Sequence, residues 1–203
     1  WHSWDVSLIS EPLRFREPLT VSEPIMWRHI RQAEESLMCS WWHFFTVGMA
    51  MTTYTSQNMG AGDAKRVSRG VRHSIFIVWG MAVAVQVIWF AFGKAIIIWL
   101  THTDNEVIME AAQLYMNVGG WFLYVLGPLF ILRCTLQGMG RKIIPLISSF
   151  VEMLLKILSA SFLVPVSGYI GVAFTEPISW VVMIIPLIVA YMVKPPEKTL
   201  GGE

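Results

Sequence analysis

The segment 57-QNMGAGDAKRVSRG-70 is short, basic and glycine-containing, and it stands between two long apolar runs. Three kinds of protein use such a segment: one that cradles phosphate, one that grips nucleic acid, and one that turns a chain between membrane helices. A Walker-type loop follows a strand and closes on Gly-Lys-Ser or Gly-Lys-Thr. Here Lys65 follows Ala64 and precedes Arg66, and no strand pattern leads in. A nucleic-acid patch interleaves aromatic residues with a broad basic face, and no residue from 57 to 70 is aromatic. The remaining reading is a turn with positive charges beside a membrane, and the flanking sequence bears on it directly.

The chain has 203 residues, of which 55% are hydrophobic and 14% charged, with a mean hydropathy of +0.55. Soluble domains carry about 25% charged residues. A chain this size has too little polar surface to clothe such an apolar interior in water; a membrane protein has no such difficulty. The net charge of +1 gives no global attraction to nucleic acid, so basic character is local. Cys39 and Cys134 lie far apart in or beside apolar segments and read as unpaired packing residues. The chain opens on Trp1, its first thirty residues are polar and proline-spotted, and they lack a signal-peptide pattern. The expectation is a fragment of a longer protein.

A helix crosses a bilayer with roughly 20 apolar residues. Residues 75–100, 111–132, 143–166 and 169–193 reach that length, and a shorter fifth run, 37–54, carries His43 and several hydroxyls. Helices satisfy every backbone group internally, and none of these runs alternates as a barrel strand would. Lys and Arg alternate along the connections. Lys65, Arg66, Arg69 and Arg72 fall in residues 60–73, Arg141 and Lys142 after Gln137, and Lys194 and Lys198 in the tail; 101-THTDNEVIME-110 and 164-VPVSGYIG-171 have none. The positive-inside rule then places residues 60–73, the Arg141 turn and the C-terminus in the cytoplasm.

The order of residues is more specific than their composition. Gln57, Asn58, Gly60, Ala61, Arg66, Val67 and Gly70 resemble the motif that closes a membrane helix in the multidrug and toxic compound extrusion (MATE) family. A second block, 132-LRCTLQGMGRKIIP-145, with Gln137, Gly138 and Gly140, is similar to that family's Leu-Arg-x-x-Leu-Gln-Gly-x-Gly followed by a proline. A third, 168-GYIGVAFTEPISWVV-182, with Pro177, looks like its penultimate loop and last helix. The resemblance is strongest to bacterial members and stops near Phe44. It implies an all-α fold: a polytopic bundle of about five membrane helices, equivalent to the second six-helix lobe of such a transporter. The expected organisation is a polar N-terminal segment at 1–36, either truncated or out of frame or a divergent soluble arm, a membrane lobe at 37–194 and a cytoplasmic tail at 195–203.

An ionisable side chain at mid-membrane costs about 2.5–3.5 kcal/mol and so faces a cavity or a partner. Glu152 and Lys156 are four residues apart on one helix face, which Ser148 and Ser159 extend. They form either a self-neutralising packing pair or the wall of a translocation cavity, with Glu152 as a proton or cation site. Glu176 precedes Pro177, whose ring opens the helix one turn back, and is either a cation site or a hydrated interfacial carboxylate. Arg133, which closes the 111–132 span, either snorkels to the interface or lines the cavity with Ser148 and Ser159. Gln113, Asn117, Gly120, Tyr124 and Gly127 recur at intervals of four and three, a spacing that allows close packing or cavity lining, with Asn117 and Tyr124 as substrate contacts.

The resemblance implies a secondary efflux transporter of a bacterial inner membrane. It would export lipophilic or cationic drugs and toxins in antiport with protons or sodium, using no cofactor beyond that ion. Its partners would be the lipid bilayer, drug-like small molecules and the missing N-terminal lobe, and not nucleic acid. A lipid-linked oligosaccharide flippase, with a more cationic cavity, and an inactive structural fragment are the alternatives. An enzyme is not expected, because His43, His73 and His102 fall on different helices or loops and no catalytic cluster forms.

Overall fold

The computed structural model describes residues 23–101 and 106–200. The described residues form helix α1 (Glu23–Gly60), α2 (Ala64–Thr101), α3 (Glu106–Gly138) and α4 (Ile143–Leu158), a π-helical turn (Ser159–Leu163), then α5 (Val164–Ser167), α6 (Tyr169–Val193) and α7 (Pro196–Leu200). No strand occurs among them. Four stretches are long and apolar enough to cross a membrane: Ala64–Trp99, Ala112–Gly138, Ile143–Ser167 and Ile170–Val193. The fold is an all-α polytopic membrane bundle. The apolar run at 37–54 lies inside the longer α1, which is not among the four; His43 and its threonines dilute it. The boundary expected at residue 36 falls within that same helix, while residues 1–22 and 201–203 lie outside the described residues.

The helices outlast their apolar runs. Residues 60–73 are not a loop: α1 ends at Gly60 and α2 begins at Ala64, so Lys65, Arg66, Arg69 and Arg72 ride its first turns. Lys, Arg and Ala favour helix, and hydropathy measures bilayer depth rather than helix length. The turn itself is a Schellman closure. The Asp63 N–H donates to the Asn58 carbonyl at 2.9 Å and the Gly62 N–H to the Met59 carbonyl at 3.1 Å. Gly62, at φ +77°, takes the left-handed position, which costs a residue with a Cβ about 1–2 kcal/mol. Asp63 then caps α2, its Oδ1 accepting from the Arg66 N–H at 3.0 Å.

The second motif block repeats this device. Arg141 N–H donates to the Leu136 carbonyl, and Gly140 N–H to the Gln137 carbonyl, both at 2.9 Å, with Gly140 at φ +79°. The two blocks share one pattern, glycine at the last helical turn and glycine again two residues on, because both perform the same helix-ending manoeuvre.

Helix α3 is the hub, packing against α1, α2 and α6, while α4 rests chiefly on α6. Leu123, Leu126, Leu129, Ile131 and Leu136 of α3 are buried with Phe44 and Met51 of α1, Val67, Val71 and Val78 of α2, and Met183 and Leu187 of α6. Glycines set the closest approaches. A Cβ on Gly127 would meet Val78 Cγ2 at 2.8 Å, and one on Gly138 would meet the Thr52 carbonyl oxygen at 2.7 Å. The ends of α1, α3 and α6 and the starts of α2 and α4 gather at one end of the bundle. There the Tyr54 hydroxyl donates to the Arg66 carbonyl at 3.2 Å. Arg141 Nη1 donates to the carbonyls of Ala190 at 3.0 Å and Lys194 at 2.9 Å.

Candidate functional site

Helices α4 and α6 lie antiparallel, which the residue pairings show: moving up α4 from 148 to 156 moves down α6 from 183 to 176. Ser148 is buried and its hydroxyl donates to the Met183 carbonyl at 3.0 Å. Two turns further along α4, Lys156 Nζ lies 3.0 Å from Glu152 Oε1 and 2.9 Å from Glu176 Oε1. One ammonium thus bridges two carboxylates, one on its own helix and one across the seam. Glu176 Oε2 is buried and has no hydrogen-bond partner. Glu152 lies about 14 Å from the start of α4 at 1.5 Å per residue, close to the middle of a ~30 Å hydrocarbon layer. The other side of α4 is apolar and exposed at Leu146, Phe150, Met153 and Ile157, so the ion cluster is confined to the α4–α6 seam.

Local backbone shapes the same seam. Pro165 has no N–H and its ring crowds the preceding turn; the widened π-turn at Ser159–Leu163 lies just before it. Ser159 is buried within that turn. The segment 164–167 is a continuation of helix, and the chain reverses at Gly168, at φ +58°. Gly171 of α6 packs against the widened turn so closely that a Cβ there would sit 2.9 Å from the Leu163 carbonyl oxygen. Pro177 follows Glu176 inside α6. The ion cluster is therefore flanked by interrupted hydrogen-bond ladders on both helices.

The structure brings Ser148, Glu152, Lys156, Ser159 and Glu176 to one seam and leaves the other candidates elsewhere. Arg133 is bonded across helices. It lies inside α3, half-buried, and its Nη2 donates to Ser149 Oγ of α4. Asn117 and Tyr124 are half-buried on α3, Tyr124 against the core. Gly120 and Gly127 face α2, at Gln86 and Val78, so this part of the small and polar series packs helices. Among the motif residues, Asn58 is buried and its Nδ2 donates to the Tyr54 carbonyl at 2.6 Å, while Gln57 and Gly60 are exposed. Cys134 is a buried free thiol; the side chain of Cys39 lies outside the described residues.

Three features escaped the sequence reading. Gln86 is a partly buried amide in α2, and its buried Oε1 has no partner; a lone glutamine in an apolar run drew no notice. Ser149 as the Arg133 acceptor and Arg141 as the clamp on α6 depend on contacts between helices. His43 and His73 are exposed on α1 and α2, His102 lies outside the described residues, and no metal-ligating cluster exists among those described.

The family model for MatE matches residues 36–162. Comparison with curated proteins and with solved structures finds no match. The match begins upstream of Phe44, where the motif resemblance stops, and holds the first two motif blocks; the block at 168–182 lies beyond it. It spans well over half of the 203 residues, and a bundle of membrane-length helices is the fold it calls for: the chain belongs to the MATE family of membrane transporters.

Proposed function

We propose that the chain works in a secondary efflux transporter that exports lipophilic or cationic drugs and toxins in exchange for protons or sodium, and that the Glu152–Lys156–Glu176 cluster takes the coupling ion. One observation carries this reading: two carboxylates share a single ammonium, and one carboxylate oxygen, Glu176 Oε2, is buried without a partner. The cluster keeps one uncompensated negative charge at membrane depth, which a proton or a monovalent cation would neutralise. Occupancy would loosen Lys156 from one carboxylate and so change how firmly α4 is held to α6.

The same charge argues against the flippase reading, which calls for a cationic cavity. Ser148 and Arg133 are committed to partners within the bundle, so Asn117 and Tyr124 are the better substrate contacts. Substrate would lie between this lobe and a second one, the general arrangement for transporters built of paired repeats. The gathering of basic residues at one end supports a multi-pass placement in a bacterial inner membrane with the C-terminus cytoplasmic.

The test is ethidium transport in everted vesicles carrying the transporter. Glu152→Gln and Glu176→Gln should each abolish gradient-driven efflux while leaving membrane insertion and ethidium binding within about twofold. Full coupled efflux in both variants would make the cluster a structural staple and end this reading.

A further inference from the structure

The basic residues that open α2 do more than mark a membrane face. Lys65, Ser68, Arg69 and Arg72 of α2 and Glu197 of α7 line an open basin of about 400 Å³. Three cations meet one carboxylate there, and among the described residues the only ion pairs are those of Lys156 with Glu152 and Glu176. The three cations are thus free to engage an outside anion.

Their spacing extends the site along the helix. Lys65, Arg69 and Arg72 stand at intervals of four and three, and the same rhythm continues through Phe76, Trp79, Val83 and Val87, which places all seven on one helix face. Phe76 is 60% exposed, Val83 48% and Val87 60%. From Phe76 to Val87 the ridge rises about 16 Å, the depth of one leaflet of a ~30 Å hydrocarbon layer. A cationic basin opening onto a one-leaflet apolar ridge matches an anionic phospholipid part for part. The phosphate diester would meet Arg69 and Arg72, and an acyl chain would lie over Phe76 and Val83. Four Lys and Arg residues within eight positions at the edge of a membrane helix is also a charge density that draws anionic headgroups. We infer that this face of α2 binds an anionic phospholipid, seated by Lys65, Arg69 and Arg72. The inference is independent of the ion-coupling reading.

The experiment is native mass spectrometry of the purified chain in detergent micelles, where membrane topology has no bearing, with phosphatidylglycerol and phosphatidylcholine offered in equal amounts. The expected result is at least a tenfold preference for phosphatidylglycerol. That preference should vanish in Arg69→Gln/Arg72→Gln and persist in Lys142→Gln, which removes an exposed charge at the start of α4. Glu197→Gln should raise retention, and does not depend on how the double variant folds. Free glycerol phosphate at the same concentration should not displace the lipid. The inference is overturned by equal retention of both lipids, by an equal loss in Lys142→Gln, by no gain in Glu197→Gln, or by displacement with glycerol phosphate, which would make this a site for soluble anions.

Discussion

Lys156 touches two carboxylates, whereas Glu152 and Glu176 each touch one ammonium. That asymmetry separates a stability role from a transport role at the level of single residues. Neutralising either glutamate leaves a balanced pair; removing the lysine leaves two carboxylates facing each other at membrane depth. Lys156→Met, which strands two like charges across the half-buried seam, is therefore expected to destabilise the bundle more than either Glu→Gln. Melting in detergent checks this, and equal losses in all three variants would contradict the bridging geometry. The glycines give a second contrast. Gly62→Ala forces a Cβ into the left-handed region and should cost about 1–2 kcal/mol. Gly60→Ala meets nothing within 4 Å in a helical position and should be neutral or slightly stabilising. The motif residue with the stricter backbone demand is Gly62, which the family resemblance did not single out.

At the scale of elements, the four membrane-length helices were legible because an apolar run of bilayer length has few alternatives. Their ends were not. Lys65 through His73 read as loop by charge yet fold as helix, since these residues are good helix formers once α2 is nucleated. Residues 164–167 belong to the uncharged connection 164–171 by sequence, yet they fold as helix directly after the π-turn. The candidate site was half legible. The spacing of Glu152 and Lys156 predicts their pairing within α4, but the bond to Glu176 depends on the register of α4 against α6, which no local pattern encodes. Register in turn is held at the basic end by Arg141, whose Nη1 reaches two carbonyls at the end of α6. Hydrogen bonds from a charged donor contribute about 1.5–3 kcal/mol. Arg141→Ala should therefore raise amide exchange across residues 190–194 by tenfold or more, with exchange in the centre of α3 unchanged. Uniform acceleration would mean global loss of stability and not a freed helix end.

Across the whole molecule the charges segregate. Lys65, Arg66, Arg69, Arg72, Arg141, Lys142, Lys194 and Lys198 belong to the helix ends that meet at one end of the bundle. Toward the other end lie Arg28 and Arg31 of α1 and Lys94 of α2, with Glu106 and Glu110 opening α3; residues 102–105 lie outside the described residues. Each cation near an anionic membrane face contributes about 1 kcal/mol, so among the described residues eight at this end against three at the other bias which end stays inside. Short turns strengthen the effect: Ala61–Asp63 and Met139–Lys142 leave those cations within a few residues of a span, where the positive-inside rule acts most strongly. The expected topology has Arg69 facing the cytoplasm and Asn105 facing out. Single cysteines at these positions, in a background with Cys39 and Cys134 replaced by alanine, would be challenged in intact cells with a membrane-impermeant maleimide. Asn105→Cys should label in intact cells, and Arg69→Cys only after permeabilisation. The reverse pattern would invert the bundle, carry the basic basin of α2 to the outer face, and show that charge elsewhere in the transporter overrides these turns.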